Sequence, residues 1–155
     1  METALNVLEL NKASYGDIRV VETIEEIISV KNGVINVLKR NESMGFGIRV
    51  IKNGAWGFAS SSEVSTHNVQ KIASTAVKIA EASATLKKED VILGEAPKII
   101  DKYITKVELD PFTVSTEEKI NLLLTLDTLM RKVKGIKISD AMLTFIKINK
   151  LFAST

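Results

Sequence analysis

The chain has 155 residues, the size of one ordinary domain, and 45% of them are apolar and 26% charged. That composition excludes a disordered, collagen-like or disulfide-framework chain, and the absence of cysteine excludes thiol nucleophiles, Cys-ligated zinc and iron–sulfur chemistry. Twenty-one basic against nineteen acidic side chains give +2 with no concentrated basic face, so direct nucleic-acid binding is not expected.

The first dozen residues, with Leu5, Leu8 and the stem of Lys12 on one face, read as a short amphipathic helix. From Asp17 to Val30 the chain is rich in Ile and Val but broken near Thr23 to Glu26, which predicts two strands or one long bulged strand. Asn32-Gly33 then leads into Val34–Lys39, and Asn53-Gly54 joins a strand over Gly45–Ile51 to another over Ala55–Ser60. Asn-Gly suits a two-residue type I′ turn, whose central residues both need positive φ. Two such turns between β-rich runs predict an antiparallel meander.

After Ser60 the period returns to 3.6. Ser65 or Thr66 caps a helix whose apolar face is Val69, Ile72, Ala73, Ala76, Val77, Ala80 and Ala84. Residues 86–112 are ambiguous, with Val91–Leu93 and Val107–Leu109 as candidate short strands between prolines. Ser115-Thr116-Glu117-Glu118 is a capping box that opens a third helix. Its apolar residues are Ile120, Leu123, Leu124, Leu126, Leu129, Met130 and Val133, and Gly135 suits the position after its end. Ala141 to Phe152 reads as a returning strand. The expectation is one α+β domain over 1–155: an antiparallel meander with two Asn-Gly hairpins, packed against two longer helices, with a short N-terminal helix and a returning C-terminal strand.

The chain is poor in candidate chemistry. His67, the only histidine, stands at a predicted helix start without a second nitrogen or sulfur donor nearby, so it reads as a surface residue rather than a zinc ligand. Gly45-Phe46-Gly47-Ile48-Arg49 lacks the third glycine and following helix of a dinucleotide loop. Trp56 and Phe58 fall on one face of a strand; a base- or sugar-stacking platform is one reading, and capping of the helix–sheet core is the favoured one. Glu25 and Glu26 point to opposite faces of a strand and make no carboxylate pair. Arg131, Lys132, Lys134 and Lys137 suit a solvated helix end. No catalytic or metal residue emerges. No apolar run nears the roughly 18–20 residues of a membrane helix, and no signal peptide is evident, so a cytoplasmic protein is expected.

The string GFGIRVIKNGAWGFASS that begins at Gly45 closely resembles the signature of the TldD/PmbA family, proteins labelled modulators of DNA gyrase and regarded as zinc metallopeptidases. Tyr15–Arg19, the turn at Asn32-Gly33, the helix ASTAVKIAEASA and the stretch from Asp110-Pro111 to VSTEEK agree in order and spacing. The resembling positions Gly45, Gly47, Arg49, Gly54, Trp56, Gly57 and Phe58 are expected to be structural or interface residues. The resemblance is to the N-terminal domain only. It implies a zinc site, HExxxH plus a cysteine, in a C-terminal domain that this sequence does not include, so no cofactor is expected here. It further implies a homodimer, or a heterodimer with a TldD/TldE-type subunit, acting on small or unfolded peptides, in which this domain is a scaffold, a dimer contact and a wall of the substrate chamber. The chain ends within β-like sequence, and the expectation is a piece of a longer protein. The alternative is a stand-alone interaction module that binds peptides or gyrase-related partners without enzymatic activity.

Overall fold

Both Asn-Gly steps reverse the chain tightly. Asn32 and Gly33 have φ of 50° and 81°, and Asn53 and Gly54 have 51° and 72°, all in the left-handed region that a type I′ turn requires. They join β1 (Tyr15–Lys31), β2 (Val34–Lys52) and β3 (Ala55–Ser61), and β4 (Asp140–Ser154) completes an open antiparallel sheet in the order β3-β2-β1-β4. With α1 (Glu2–Leu10), α2 (Thr66–Ala84) and α3 (Thr116–Arg131), the fold is α+β. The computed structural model describes residues 1–95 and 97–155.

Three local expectations need correction. The strands expected separately over Val34–Lys39 and Gly45–Ile51 are one strand, β2, of 19 residues, while β1, for which one long strand was an alternative, is a single strand of 17. Sheet pairing overrides weak intrinsic propensity, and the polar side chains find partners, as where Asn41 donates to Glu25 at 3.0 Å. Neither Val91–Leu93 nor Val107–Leu109 forms a strand. Val91 N donates one bond to Gly54 O, and the stretch ends in a short 3-10 turn over Pro111–Thr113, where Asp110 accepts from Phe112 N. Lys12 lies beyond α1 with φ 53°, so its stem does not extend the face of α1, which buries Ala4 and Leu8.

The chain divides into two compact units, with β1, β2 and β4 contributing residues to both. The first holds Met1–Glu22, Ser43–Lys98 and Ile148–Thr155. Its core joins Ala4 and Leu8 of α1, Ile18 of β1, Phe46, Ile48 and Val50 of β2, and the Val69, Ala73, Ala76, Val77 and Ala80 face of α2. Ser65 is the cap of α2, accepting from Asn68 N. The alanines on α2 have a structural consequence: a Cβ on Gly57 would stand 2.0 Å from Ala76 O and 2.6 Å from Ala80 N, so β3 and α2 nearly touch through their backbones.

The second unit holds Thr23–Glu42 and Ile99–Lys147. Its buried apolar cluster is only Ile28, Val30 and Leu123, edged by Ile120, Leu124, Ala141 and Leu143. Ser115 caps α3 as expected, accepting from Glu118 N, but the phase of the helix differs from the expected apolar face. Lys119, Leu123 and Asp127, four residues apart, take the inward positions, while Leu126, Leu129 and Val133 are exposed. Lys119 Nζ bonds Glu26 at 2.5 Å, and both side chains are buried. Asp127 accepts from the Ser139 hydroxyl, from Arg131 Nε at 2.7 Å and from Gly33 N–H. Asn32 in turn accepts from Ser139 N at 2.9 Å, so α3, the β1–β2 turn and the approach to β4 meet in one polar network.

Candidate functional site: an arginine–aromatic face of the sheet

Strand periodicity sorts the residues of the Gly45 string. In the β2–β3 ladder Arg49 pairs with Phe58, Ile51 with Trp56 and Gly47 with Ser60, so these side chains share one face. Val50 with Gly57 and Ile48 with Ala59 take the other face, toward α2. Trp56 and Phe58 therefore do not cap the helix–sheet core: they are 36% and 56% exposed, and the small residues Ala55 and Gly57 are the buried ones. The reason is the close helix–strand approach, which leaves no room for an aromatic ring on the α2 side. Phe58 instead covers Gly47, whose missing Cβ would lie 3.0 Å from the ring. Gly45 stands beside Ser61 O, and Gly54 is the second residue of its turn.

At the centre of this face is a carboxylate. Asp17 of β1 is buried; its Oδ2 accepts from Arg49 Nε at 2.9 Å, from Arg49 Nη2 at 2.6 Å and from the Tyr15 hydroxyl at 2.9 Å. The Arg49 guanidinium lies 5.3 Å from the centre of the Trp56 ring, and Tyr15 meets the same ring edge-on at 5.9 Å. Arg19 Nε approaches Asp17 Oδ1 at 3.6 Å, and its guanidinium lies over Phe152 of β4 at 5.4 Å. Burial, reinforced by the bond to Asp17, pushes the Tyr15 hydroxyl pKa up, and the bond to Asp17 raises that of Arg49. Tyr15 thus stays a neutral donor and Arg49 a fixed cation at neutral pH. Arg49, Trp56, Gly57 and Phe58, with Ile79 of α2, also line a shallow open groove of about 490 Å³.

This arrangement can bind and orient, but it has no nucleophile–base pair with which to react. A flat cation stacked on an aromatic ring beside exposed apolar edges suits an extended chain or another protein surface. The other sequence candidates lie elsewhere. His67 is exposed in the first turn of α2. Glu25 bonds Asn41 while Glu26 is buried against Lys119, so the two do diverge. Arg131 is held by Asp127, and Lys132, Lys134 and Lys137 are exposed. Among the described residues no group of three or more His, Asp or Glu side chains is placed to hold a metal ion, and no helix is long and apolar enough to cross a membrane. Sequence reading reached Arg49, Trp56 and Phe58 but not the roles of Asp17, Tyr15, Arg19 and Phe152. Tyr15, Asp17 and Arg19 do alternate at strand period, a detectable signal, but nothing local says that Asp17 meets Arg49.

Comparison with known proteins agrees with this fold. Residues 16–80 match the family model described as PmbA/TldA metallopeptidase domain 1. A metalloprotease of Methanocaldococcus jannaschii is 30% identical over 132 residues, which are 84% of this chain and 29% of that protein. A metalloprotease of Methanothermobacter thermautotrophicus is 30% identical over 112 residues, 72% of this chain and 23% of its own length. The chain thus spans less than a third of the curated relatives it matches. A Thermotoga maritima protein described as a modulator of a DNA gyrase superposes with a TM-score of 0.75 at 18% identity, covering 99% of this chain and 34% of that one. TldE from Thermococcus kodakarensis gives 0.66 at 18% identity, covering 97% and 35%. On the family match, the metalloprotease relatives and the shared fold, the chain belongs to the TldD/PmbA family and corresponds to its first domain.

Proposed function

We propose that residues 1–155 act as a single non-catalytic domain of a zinc metallopeptidase that cleaves small or unfolded peptides, serving as scaffold, dimer contact and wall of the substrate chamber. The observation that carries this reading is the match of residues 16–80 to a first metallopeptidase domain in a chain whose donors do not suit zinc. The only histidine is isolated and exposed, cysteine is absent, and the buried carboxylate Asp17 is already engaged by Arg49 and Tyr15. Zinc is therefore assigned to a part of the parent protein outside this sequence. The Arg49–Trp56–Phe58 face is the surface proposed to meet the peptide or the catalytic half, because it presents exposed rings and a fixed cation on a rigid sheet. A cytoplasmic setting and a second subunit of the same family complete the proposal.

The test is peptide cleavage by the 155-residue chain, alone and combined with an HExxxH-containing half, each with metal analysis. The expected result is chelator-sensitive cleavage only in the combination, with zinc retained only there. Cleavage by the chain alone that chelator abolishes, together with one zinc per chain lost on His67→Ala, would overturn the reading.

A further inference from the structure

The arginine–aromatic face holds more hydrogen-bond donors than the fold uses. Asp17 is buried, and its Oδ2 accepts from Nε and Nη2 of Arg49, which occupies one edge of that guanidinium. The other edge, Nη1 with the second N–H of Nη2, has no partner among the described residues, and the side chain is 39% exposed. Arg19 donates no hydrogen bond among the described residues. Its Nε stands 3.6 Å from Asp17 Oδ1, beyond hydrogen-bond length, and its side chain is 45% exposed. Asp17 Oδ1 is itself buried without a donor, an arrangement that costs free energy until one is supplied.

Both guanidinia are nonetheless held in place. Trp56 lies against Arg49 at 5.3 Å and Phe152 against Arg19 at 5.4 Å, with the Asp17 carboxylate approached by both cations. One carboxylate against two guanidinia leaves a positive charge in excess. A planar fork with one edge bound and the other free is the geometry that takes a second carboxylate through two parallel hydrogen bonds. Beside Arg49 the groove of about 490 Å³ is walled by Trp56, Phe58 and Ile79, so an apolar group has a place next to the free edge. All of these residues belong to the first compact unit.

We infer that this cluster is an anion subsite for the C-terminal carboxylate of a peptide whose last side chain is apolar. The carboxylate pairs with the free edge of Arg49, Arg19 supplies the second positive charge, and the last side chain enters the groove. A terminal carboxylate and the last side chain leave the same Cα, so fork and groove can be filled together. An internal acidic residue in an extended chain sends its apolar neighbours to the opposite side, away from the groove. The added negative charge also offsets the repulsion between the two guanidinia, which lets Arg19 close on Asp17 Oδ1 and supply its missing donor. The inference rests on the reading of this face as the one that meets the peptide, and it names the group recognised there.

Titration of the 155-residue chain with N-acetyl-Ala-Ala-Leu, followed by calorimetry and by the emission of Trp56, the only tryptophan, tests it. The free acid should bind saturably. Its C-terminal amide, and the amide of N-acetyl-Ala-Glu-Leu with its internal carboxylate, should each bind at least about 10-fold more weakly, since neither sets a carboxylate and an apolar side chain on one Cα. Arg49→Gln should weaken the free acid at least about 10-fold and Arg19→Gln about 5-fold, with circular dichroism unchanged. Arg49→Gln leaves the buried Asp17 short of its partner, so if that variant fails to fold, Arg19→Gln and the peptide series still decide the matter. Equal binding of acid and amide overturns the inference, as does an internal-carboxylate peptide that matches the free acid. So does a free acid that shows no binding up to about 10 mM. Each of these failures leaves the peptidase reading standing, because cleavage by the combined halves tests that separately.

Discussion

The two units of the chain are stabilised in opposite ways. The first joins eleven buried apolar residues from two helices and two strands in one cluster, and its polar cluster around Asp17 lies on the face away from α2. The second buries three apolar residues and also buries a lysine, two carboxylates and two serines. It leaves much of its aliphatic surface exposed: Leu122, Leu126 and Leu129 on α3, and Ile99, Ile100, Tyr103 and Ile104 before it. Apolar burial supplies bulk stability, whereas a buried ion pair contributes little net energy but penalises every arrangement in which its partners separate. Unit 1 therefore draws its stability mainly from apolar burial. Unit 2 is held in shape by specific polar links and leaves its aliphatic side exposed.

The sharpest way to break that contrast is at Lys119. Lys119→Met leaves the Glu26 carboxylate buried without its partner and should cost about 3–5 kcal/mol in urea denaturation. Glu26→Leu combined with Lys119→Met should return most of that loss, because removing both charges also removes the desolvation penalty. A single substitution that costs nothing would show that the pair is not buried.

Unit 1 should fail by crowding instead. Gly57→Val drives a side chain into the backbone of α2, at Ala76 O and Ala80 N, and should cost about 3 kcal/mol or more by the same measurement. Gly47→Ala is the control, expected to cost about 1 kcal/mol or less, because its obstacle is the outer edge of the exposed Phe58 ring, which can swing away. Equal losses at the two glycines would contradict the backbone contact.

Acid separates the units next. The Ser139 hydroxyl, aided by Arg131 and the Gly33 N–H, holds the Asp127 carboxyl below its ordinary value of 3.8. Its folded pKa is thus lower than its unfolded one, so its contribution is complete above pH 3.8 and lost as pH falls through the folded value. Asp110, lowered chiefly by the Phe112 N–H and then by Lys147, acts in the same direction within the same unit. An acid titration followed by circular dichroism should show α3 loosening at low pH, and Asp127→Asn should flatten that response.

The smallest expected effect lies on the arginine–aromatic face. Arg49→Lys keeps the charge beside Asp17 but loses the planar fork and its stacking on Trp56, a change worth about 1 kcal/mol or less. Trp56 is the only tryptophan, so its emission reports the change directly, and a red shift is expected as the ring gains water. An unchanged spectrum would mean that the guanidinium does not cover the ring.

What the sequence determined by itself was local and periodic. The Asn-Gly turns, the Ser65 and Ser115 caps and the alanine face of α2 follow from φ preferences, side-chain hydrogen bonding and the 3.6-residue period, all of which act within a few residues. The string from Gly45 to Ser61 sufficed to mark the family. Tertiary structure decided the rest. Trp56 and Phe58 could face either side of β3 until Gly57 and the alanines of α2 met backbone to backbone, since alternation gives two faces without saying which is the core. Asp17 and Arg49 are 32 residues apart, and Glu26 and Lys119 are 93 apart, so no local pattern could pair them. The phase of α3 was likewise ambiguous, because it has apolar residues on two sides, Ile120, Leu123 and Leu124 on one and Leu122, Leu126 and Leu129 on the other. Only the fit of Lys119 to Glu26 and of Asp127 to Ser139 chose which one turned inward.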